Sequence, residues 1–385
     1  MIRCLIIKIS SLGDIIHTLP ALTDAVNALG EIQFDWVVEE NFSEIPSWHP
    51  AVRKVIPVAI RRWKKNFFRN IFGSEWNLFK KQIKAQHYDV VIDAQGLLKS
   101  ALLTRLAKGN SYGFDKSSAR EPIASHFYRH PQNISRNQHA VERVRQLFAK
   151  SLGYELSEKL DYGITKNFIE FEQAAKKQRD KKPQILFFHG TTWETKHWPE
   201  VYWLGLAKLL IRDGYEILLP WGNEAEKQRA ERLKESINTD GSDGVDGSLL
   251  ADGSLLAEGS SPVEGSVVVL PKMTLKEIVE QLSLVAGVVA VDTGLAHLAA
   301  ALDKPLVSLF GPTNPGLTRP YGSKKGKQLQ LQVDYACISC LKRKCSLTKV
   351  NAHSDDISSN LITPACYSDL TPERVVQALY KLIDR

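Results

Sequence analysis

Ser10-Ser-Leu-Gly-Asp14 follows an apolar run, Cys4 to Ile9, and leads into a helical pattern, which sets one carboxylate at the junction of a strand and a helix. Two chemistries are open to it. In a first helical turn a carboxylate accepts otherwise unpaired backbone amides and is favoured by the helix dipole, so Asp14 reads as a cap. If it points into a ligand cleft, the same group takes a proton from a hydroxyl as that oxygen attacks, and Asp14 then reads as a general base. No GxGxxG pattern accompanies it, so a dinucleotide fingerprint is not supported.

Two further strand ends carry residues suited to an anion. Phe188-His-Gly-Thr-Thr-Trp-Glu-Thr-Lys-His-Trp-Pro199 places Thr191 and Thr192 beside a glycine, with Lys196 close behind. Hydroxyls, backbone amides and an ammonium together suit a diphosphate, whereas the plainer alternative is a strand end with a solvated lysine. Gly287-Val-Val-Ala-Val-Asp-Thr-Gly-Leu-Ala-His-Leu-Ala-Ala-Ala-Leu302 runs strand, acidic turn, glycine, helix. The amides of Thr293, Gly294 and Leu295 are then at a helix N-terminus, where an anion is held. His297 falls in the first turn, either donating to that anion or buried as a satisfied histidine. Cys337-x2-Cys340-x4-Cys345-x20-Cys366 is the remaining cluster. Its second pair lacks the close spacing of common structural zinc sites, so zinc stands beside reduced thiols and a labile disulfide.

The elements that must position these groups alternate between strand and helix. Cys4 to Ile9, Phe34 to Val38 and Val90 to Ile92 read as strands, with helices at Ile15 to Leu29 and Trp76 to Ala85. A charged stretch at 166–183 reads as a connector, after which strands recur at Gln184 to His189, Glu216 to Leu219, Ser266 to Leu270, Gly287 to Val291 and Leu306 to Phe310. The expected fold is α/β: two Rossmann-like domains over 1–165 and 184–370, then a C-terminal helix at 371–385. Ligands of such sheets bind beyond the carboxyl ends of the strands, and a two-domain version would face its site into the cleft between the halves. Residues 238–265 repeat Gly-Ser-Leu-Leu-Ala among acidic residues and read as a flexible surface insertion.

A chain of 385 residues exceeds one ordinary core, and 43% hydrophobic with 24% charged residues excludes a disordered chain. The formal charge of +7 favours anionic partners without naming one. The start does not read as a secretory signal, and the longest apolar candidate, Leu282 to Leu302, is broken by Asp292, Thr293 and His297. One early and four late cysteines are unlike a secreted disulfide framework, so a reducing, cytosolic setting is expected.

Taken together and in order, Ser10 to Asp14, Asp93-Ala-Gln-Gly-Leu97, Thr191-Thr192 with Lys196-His-Trp-Pro199, Met273, Val291 to His297 and Gly311-Pro-Thr313 resemble the bacterial lipopolysaccharide heptosyltransferases of glycosyltransferase family 9. The resemblance spans nearly the whole chain. Pro20-Ala-Leu-Thr-Asp24, Ala59-Ile-Arg-Arg-Trp63 and Ala119-Arg-Glu-Pro-Ile-Ala-Ser125 are most similar to the branch that adds the first heptose.

The resemblance implies a GT-B fold and an inverting transfer of L-glycero-D-manno-heptose from ADP-L-glycero-β-D-manno-heptose to the Kdo residue of Kdo-lipid A. It assigns Asp14 as the base, Lys196 with Thr191, Thr192 and the amides near Gly294 as donors to the departing diphosphate, and no metal or other cofactor. Glu226 and Asp292 are implied contacts of ribose or sugar hydroxyls, Met273 of adenine, and His297 of the diphosphate. Ile60, Trp63, Phe67 and Ile71 form an apolar stripe beside Arg61, Lys65 and Arg69. Such a basic amphipathic helix either lies in anionic headgroups or docks its stripe on the domain. With Arg62 and, from the resemblance, Arg120, it is the expected acceptor contact, at the cytoplasmic face of the inner membrane. The alternatives are the branch that extends an already heptosylated core (heptosyltransferase II) and a basic nucleic-acid-binding protein; the diphosphate motifs speak against nucleic acid.

Overall fold

The structure is a computed structural model in which residues 1–63, 73–168, 182–239, 266–323, 326–333, 340–345 and 364–383 are described. Lys65 and the rest of the basic stripe beyond Trp63, the insertion from residue 240 to 265, and Cys337 lie outside the described residues. The chain divides into two compact units: Met1–Glu170 with Ala300–Asp303 and Pro315–Lys325, and Phe171–Ala299 with Lys304–Asn314 and Gly326–Arg385.

The first unit holds a six-stranded sheet of β1 (Ile2–Ile7), β2 (Ile32–Glu39), β3 (Val52–Val58), β4 (His87–Asp93), β5 (Lys108–Phe114) and β6 (His130–Gln132), in the order β3-β2-β1-β4-β5-β6. The second holds β7 (Gln184–Phe188), β8 (Glu216–Leu219), β9 (Val267–Val269), β10 (Gly287–Val291), β11 (Leu306–Phe310) and β12 (Gln328–Gln332), in the order β12-β11-β10-β7-β8-β9. All neighbouring strands run parallel. Each sheet thus repeats the doubly wound order. Its direction of winding reverses between β1 and β4 in one and between β7 and β10 in the other, and the crevice at such a reversal is where ligands of open α/β sheets bind.

Central strands buried on both faces need continuous apolar runs, and β10 is buried at every position. The core of the first unit gathers Leu5, Ile7, Val37, Ile56, Phe79 and Val91, and that of the second gathers Phe187, Trp198, Trp203, Val289, Leu309 and Tyr367. The single helix expected over Ile15 to Leu29 is two, Leu12–Ile16 and Leu19–Leu29. Pro20 explains the break: it lacks an N–H and fits only the first turn of a new helix.

A buried ion pair ties helix Leu19–Leu29 to helix Ala140–Leu152. The Arg145 guanidinium donates to both carboxylate oxygens of Asp24, at 2.6 and 3.2 Å, and to the carbonyls of Ser157 and Lys159. Removing Asp24 leaves the buried Arg145 with Glu142, at 3.1 Å, as its remaining carboxylate partner, so Asp24→Ala is expected to cost about 1–3 kcal/mol of unfolding free energy. Urea denaturation measures this, and a midpoint equal to that of the unsubstituted protein contradicts it.

The late segment Pro315–Lys325 belongs to the first unit. The His139 imidazole donates to the Arg319 carbonyl at 3.0 Å and packs on the Tyr321 ring, while the Tyr162 hydroxyl donates to the Tyr321 carbonyl.

Candidate active site

In the first unit the loops after β1 and β4 meet at the winding reversal. The Oδ2 atom of Asp14 accepts from the Ser11 amide at 2.9 Å and the Ser11 hydroxyl at 2.8 Å, so the capping reading holds. Capping occupies one edge of the carboxylate. The other oxygen, Oδ1, lies 3.8 Å from the Lys8 ammonium. Burial pushes the Asp14 carboxyl upward, but Lys8, the two Ser11 bonds and the charge of Arg120 outweigh it and hold its pKa below the ordinary aspartate value. The group is therefore an ionised carboxylate at neutral pH, able to accept a proton, and cap and base are compatible roles.

The β4 loop buttresses this turn. Gln95 Oε1 accepts from the amides of Ile9 and Ser10 at 3.1 and 3.2 Å. Asp93, fully buried, accepts from the amides of Gln95 and Gly96 and, at 2.7 Å, from the Tyr128 hydroxyl. Burial raises its pKa.

In the second unit the loops after β7 and β10 meet in the same way. The Lys196 ammonium lies 2.6 Å from Asp292 Oδ2, which also accepts from the Thr313 hydroxyl at 2.7 Å. The Thr191 hydroxyl donates to the Asp292 carbonyl at 3.3 Å. Lys196 and Arg343 both stand over the Trp193 ring, 4.7 and 5.3 Å from its centre, which adds a second cation to the group. Thr192 is exposed, Thr293 and Gly294 are half-buried, and His297 is buried in helix Gly294–Ala301.

Beside this cluster lies a pocket lined by Phe188, Gly190, Trp221, Gly222, Glu226, Met273, Leu275, Ile278, Thr293 and Leu295. Its apolar and aromatic walls suit a planar heterocycle, and Glu226 brings a carboxylate to its edge. Glu226 accepts from the Gly222 amide at 2.7 Å and packs so closely on Gly190 that a Cβ there would sit 2.5 Å from its Cδ. Gly190→Ala must push the carboxylate aside. The expected result is about a tenfold rise in the KM for a nucleotide donor, equivalent to about 1.4 kcal/mol, with an unchanged KM for the acceptor.

The expected acceptor contacts are partly spoken for. The Arg62 guanidinium donates to both oxygens of Glu40 and both of Glu75. Arg61 is exposed, with its guanidinium over Phe42, and Arg120 is exposed as well. Ile60 and Trp63 pack against the core of the unit, so the first turn of the amphipathic stripe is docked on the domain. Cys366 packs in the second core while Cys340 is exposed, and among the described residues no three potential ligands gather to hold a metal ion. Among the described residues, no helix is long and apolar enough to cross a membrane.

Lys8, Trp193, Arg343 and Trp221 received no role in the sequence reading, and Thr313 entered it only within the Gly311-Pro-Thr313 motif. Only Lys8 left a clear signal, as a charge within the apolar run Leu5 to Ile9.

Residues 76–351 match the family model described as glycosyltransferase family 9 (heptosyltransferase). Lipopolysaccharide heptosyltransferase 1 of Pseudomonas aeruginosa is 46% identical over 383 residues, covering 99% of this chain and 98% of the relative. The Salmonella typhimurium protein of the same name is 49% identical over 325 residues, covering 84% and 92%. Among solved structures, E. coli heptosyltransferase WaaC with ADP superposes with a TM-score of 0.74 at 45% identity, covering 89% of this chain and 97% of that one. That structure has the GT-B architecture expected from the sequence. With the family model spanning most of the chain and close relatives matching nearly end to end, this chain belongs to glycosyltransferase family 9.

Proposed function

We propose that the chain transfers L-glycero-D-manno-heptose from ADP-heptose to the Kdo residue of Kdo-lipid A, the first heptose addition of the lipopolysaccharide inner core. The observation that carries this reading is the Asp14 carboxylate, capped on one edge by Ser11 and backed by Lys8. The Kdo hydroxyl oxygen bonds to the anomeric carbon, and the bond from that carbon to the β-phosphate oxygen breaks with its electron pair leaving on ADP. The hydroxyl proton passes to Asp14. Its low proton affinity suffices, because the hydroxyl becomes acidic only as the new bond forms.

Charge grows on the diphosphate as the sugar departs. Lys196 exchanges its Asp292 partner for that diphosphate, helped by Thr191, Thr192 and the amides at Thr293 and Gly294. Asp292, so released, and Glu226 take ribose or sugar hydroxyls, Met273 packs on adenine in the pocket, and His297 backs the diphosphate. E. coli WaaC has also been solved with ADP-2-deoxy-2-fluoro heptose, which supports this donor class. The acceptor is a lipid, so the reaction belongs at the cytoplasmic surface of the inner membrane, where the exposed Arg61 and Arg120 are available to acidic headgroups.

Incubation with ADP-heptose and defined Kdo-lipid A, read by mass spectrometry of the lipid, tests the reading. A gain of one heptose is expected; gain only on an acceptor that already carries heptose overturns the choice of acceptor, and no gain on either overturns the reaction. Because Arg62 is already neutralised by two glutamates, Arg61→Ala is expected to raise the acceptor KM about tenfold, more than Arg62→Ala does, with the donor KM unchanged.

A further inference from the structure

The Lys8 ammonium is buried, and its side chain is 7% exposed against 36% for Asp14. Lysine is among the residues rarely buried without a partner. Here the ammonium donates to the Ala94 carbonyl at 2.9 Å and stands 3.8 Å from Asp14 Oδ1. Its own carbonyl accepts from the Trp36 indole at 3.1 Å, which fixes the backbone from which the side chain reaches across. The ammonium thus lies inside the sheet end, behind the carboxylate, on the β1 side of the winding reversal.

We propose that Lys8 is a positioning residue for Asp14: its buried ammonium orients the carboxylate from behind and keeps it charged until the acceptor hydroxyl gives up its proton. The inference rests on the reading of Asp14 as the base. Two contacts divide the work. Ser11 holds Oδ2 with two hydrogen bonds, and Lys8 attracts Oδ1 by charge at a distance that leaves its lone pairs open to a hydroxyl.

The charged groups around the pair are few. Asp14 faces Lys8 and Arg120, both of which favour its ionised form, against burial. Lys8 faces Asp14 and Asp93, which favour its protonated form; burial, first, and then Arg143 and Arg120 oppose it and leave its pKa below the ordinary lysine value. With the lysine charge gone, burial of Asp14 is opposed chiefly by the Ser11 hydrogen bonds and Arg120. The carboxyl then binds a proton at higher pH, and turnover must fail at higher pH on its acid side.

The test compares Lys8→Gln, which can keep the hydrogen bond to Ala94 without the charge, and Lys8→Met, which keeps neither, with the unsubstituted protein and Asp14→Asn. The readout is the acid limb of kcat/KM. Both lysine variants are expected to move that limb upward by about one to three pH units, with a much smaller loss on the alkaline plateau. A uniform fall at all pH values, with the limb unmoved, indicates a merely structural lysine and overturns the proposal. Carbon-13 titration of the Asp14 carboxyl separates this from the base assignment. In the unsubstituted protein it must titrate below ordinary aspartate, and higher in Lys8→Gln; a midpoint at or above the ordinary value in the unsubstituted protein overturns the role of Lys8 with no variant needed. Turnover retained by Asp14→Asn instead sinks the base reading, whatever the titration shows.

Discussion

Asp14→Asn is expected to lower kcat by about 10²–10⁴-fold, the usual contribution of a positioned general base, while ADP-heptose binding is kept. The carboxamide preserves the shape of the side chain and an oxygen for Ser11, but it cannot accept the hydroxyl proton. Loss of the charged cap is expected to cost about 1 kcal/mol of stability, too little to unfold the chain. Turnover by mass spectrometry, with calorimetry of ADP binding on the same sample, separates chemistry from folding. A variant that binds donor and turns over normally removes Asp14 from the mechanism. Because the carboxyl is held below its ordinary range, the unsubstituted enzyme should show no loss from this group as the pH falls from 8 to about 5.

Lys196→Ala is the second large expected effect. A donor aimed at charge that develops only in the transition state contributes about 10²–10³-fold to kcat, and Lys196 is expected to lose at least this, together with a higher donor KM. The substitution also leaves Asp292 close to the arriving diphosphate with the Thr313 hydroxyl as its partner among the described residues, so like-charge repulsion replaces attraction. Arginine should not restore full activity, because its planar fork needs different geometry from a compact ammonium already set 2.6 Å from Asp292. Steady-state kinetics with varied ADP-heptose reads both parameters; an unchanged kcat removes the electrostatic role.

The central strands were legible because burial on both faces writes itself as an unbroken apolar run, as at Val288 to Val291 and Leu306 to Phe310. Four strands were missed: Gln328–Gln332, a short, half-buried edge strand, and three whose pattern is diluted. Val52–Val58 and His130–Gln132 are edge strands that carry Pro57 and Pro131, residues confined to such positions because they cannot donate to a ladder. Lys108–Phe114 contains two glycines, one of them, Gly113, packed under the Tyr128 ring. Asp14, Thr191, Lys196 and Asp292 could be found because each lies next to a strand end with a glycine or a short hydroxyl residue beside it. The company they keep could not. The Lys8–Asp14 and Lys196–Asp292 pairings arise from three-dimensional placement and charge, and the sequence shows the members without showing that they meet. The reading of Ile60 to Ile71 as a headgroup-binding helix met a similar limit, since periodicity marks an apolar stripe without saying whether lipid or the protein's own core covers it.

The discontinuity of the first unit bears on how such a protein can be taken apart or diversified. A fragment ending at residue 170 would lose the Arg319 and Tyr321 carbonyls that receive His139 and Tyr162, and with them the ring that covers His139. The half that carries Asp14 is therefore completed by polypeptide synthesised long after it. Replacing the N-terminal part by simple fusion of a foreign module would deliver that module without its closing piece.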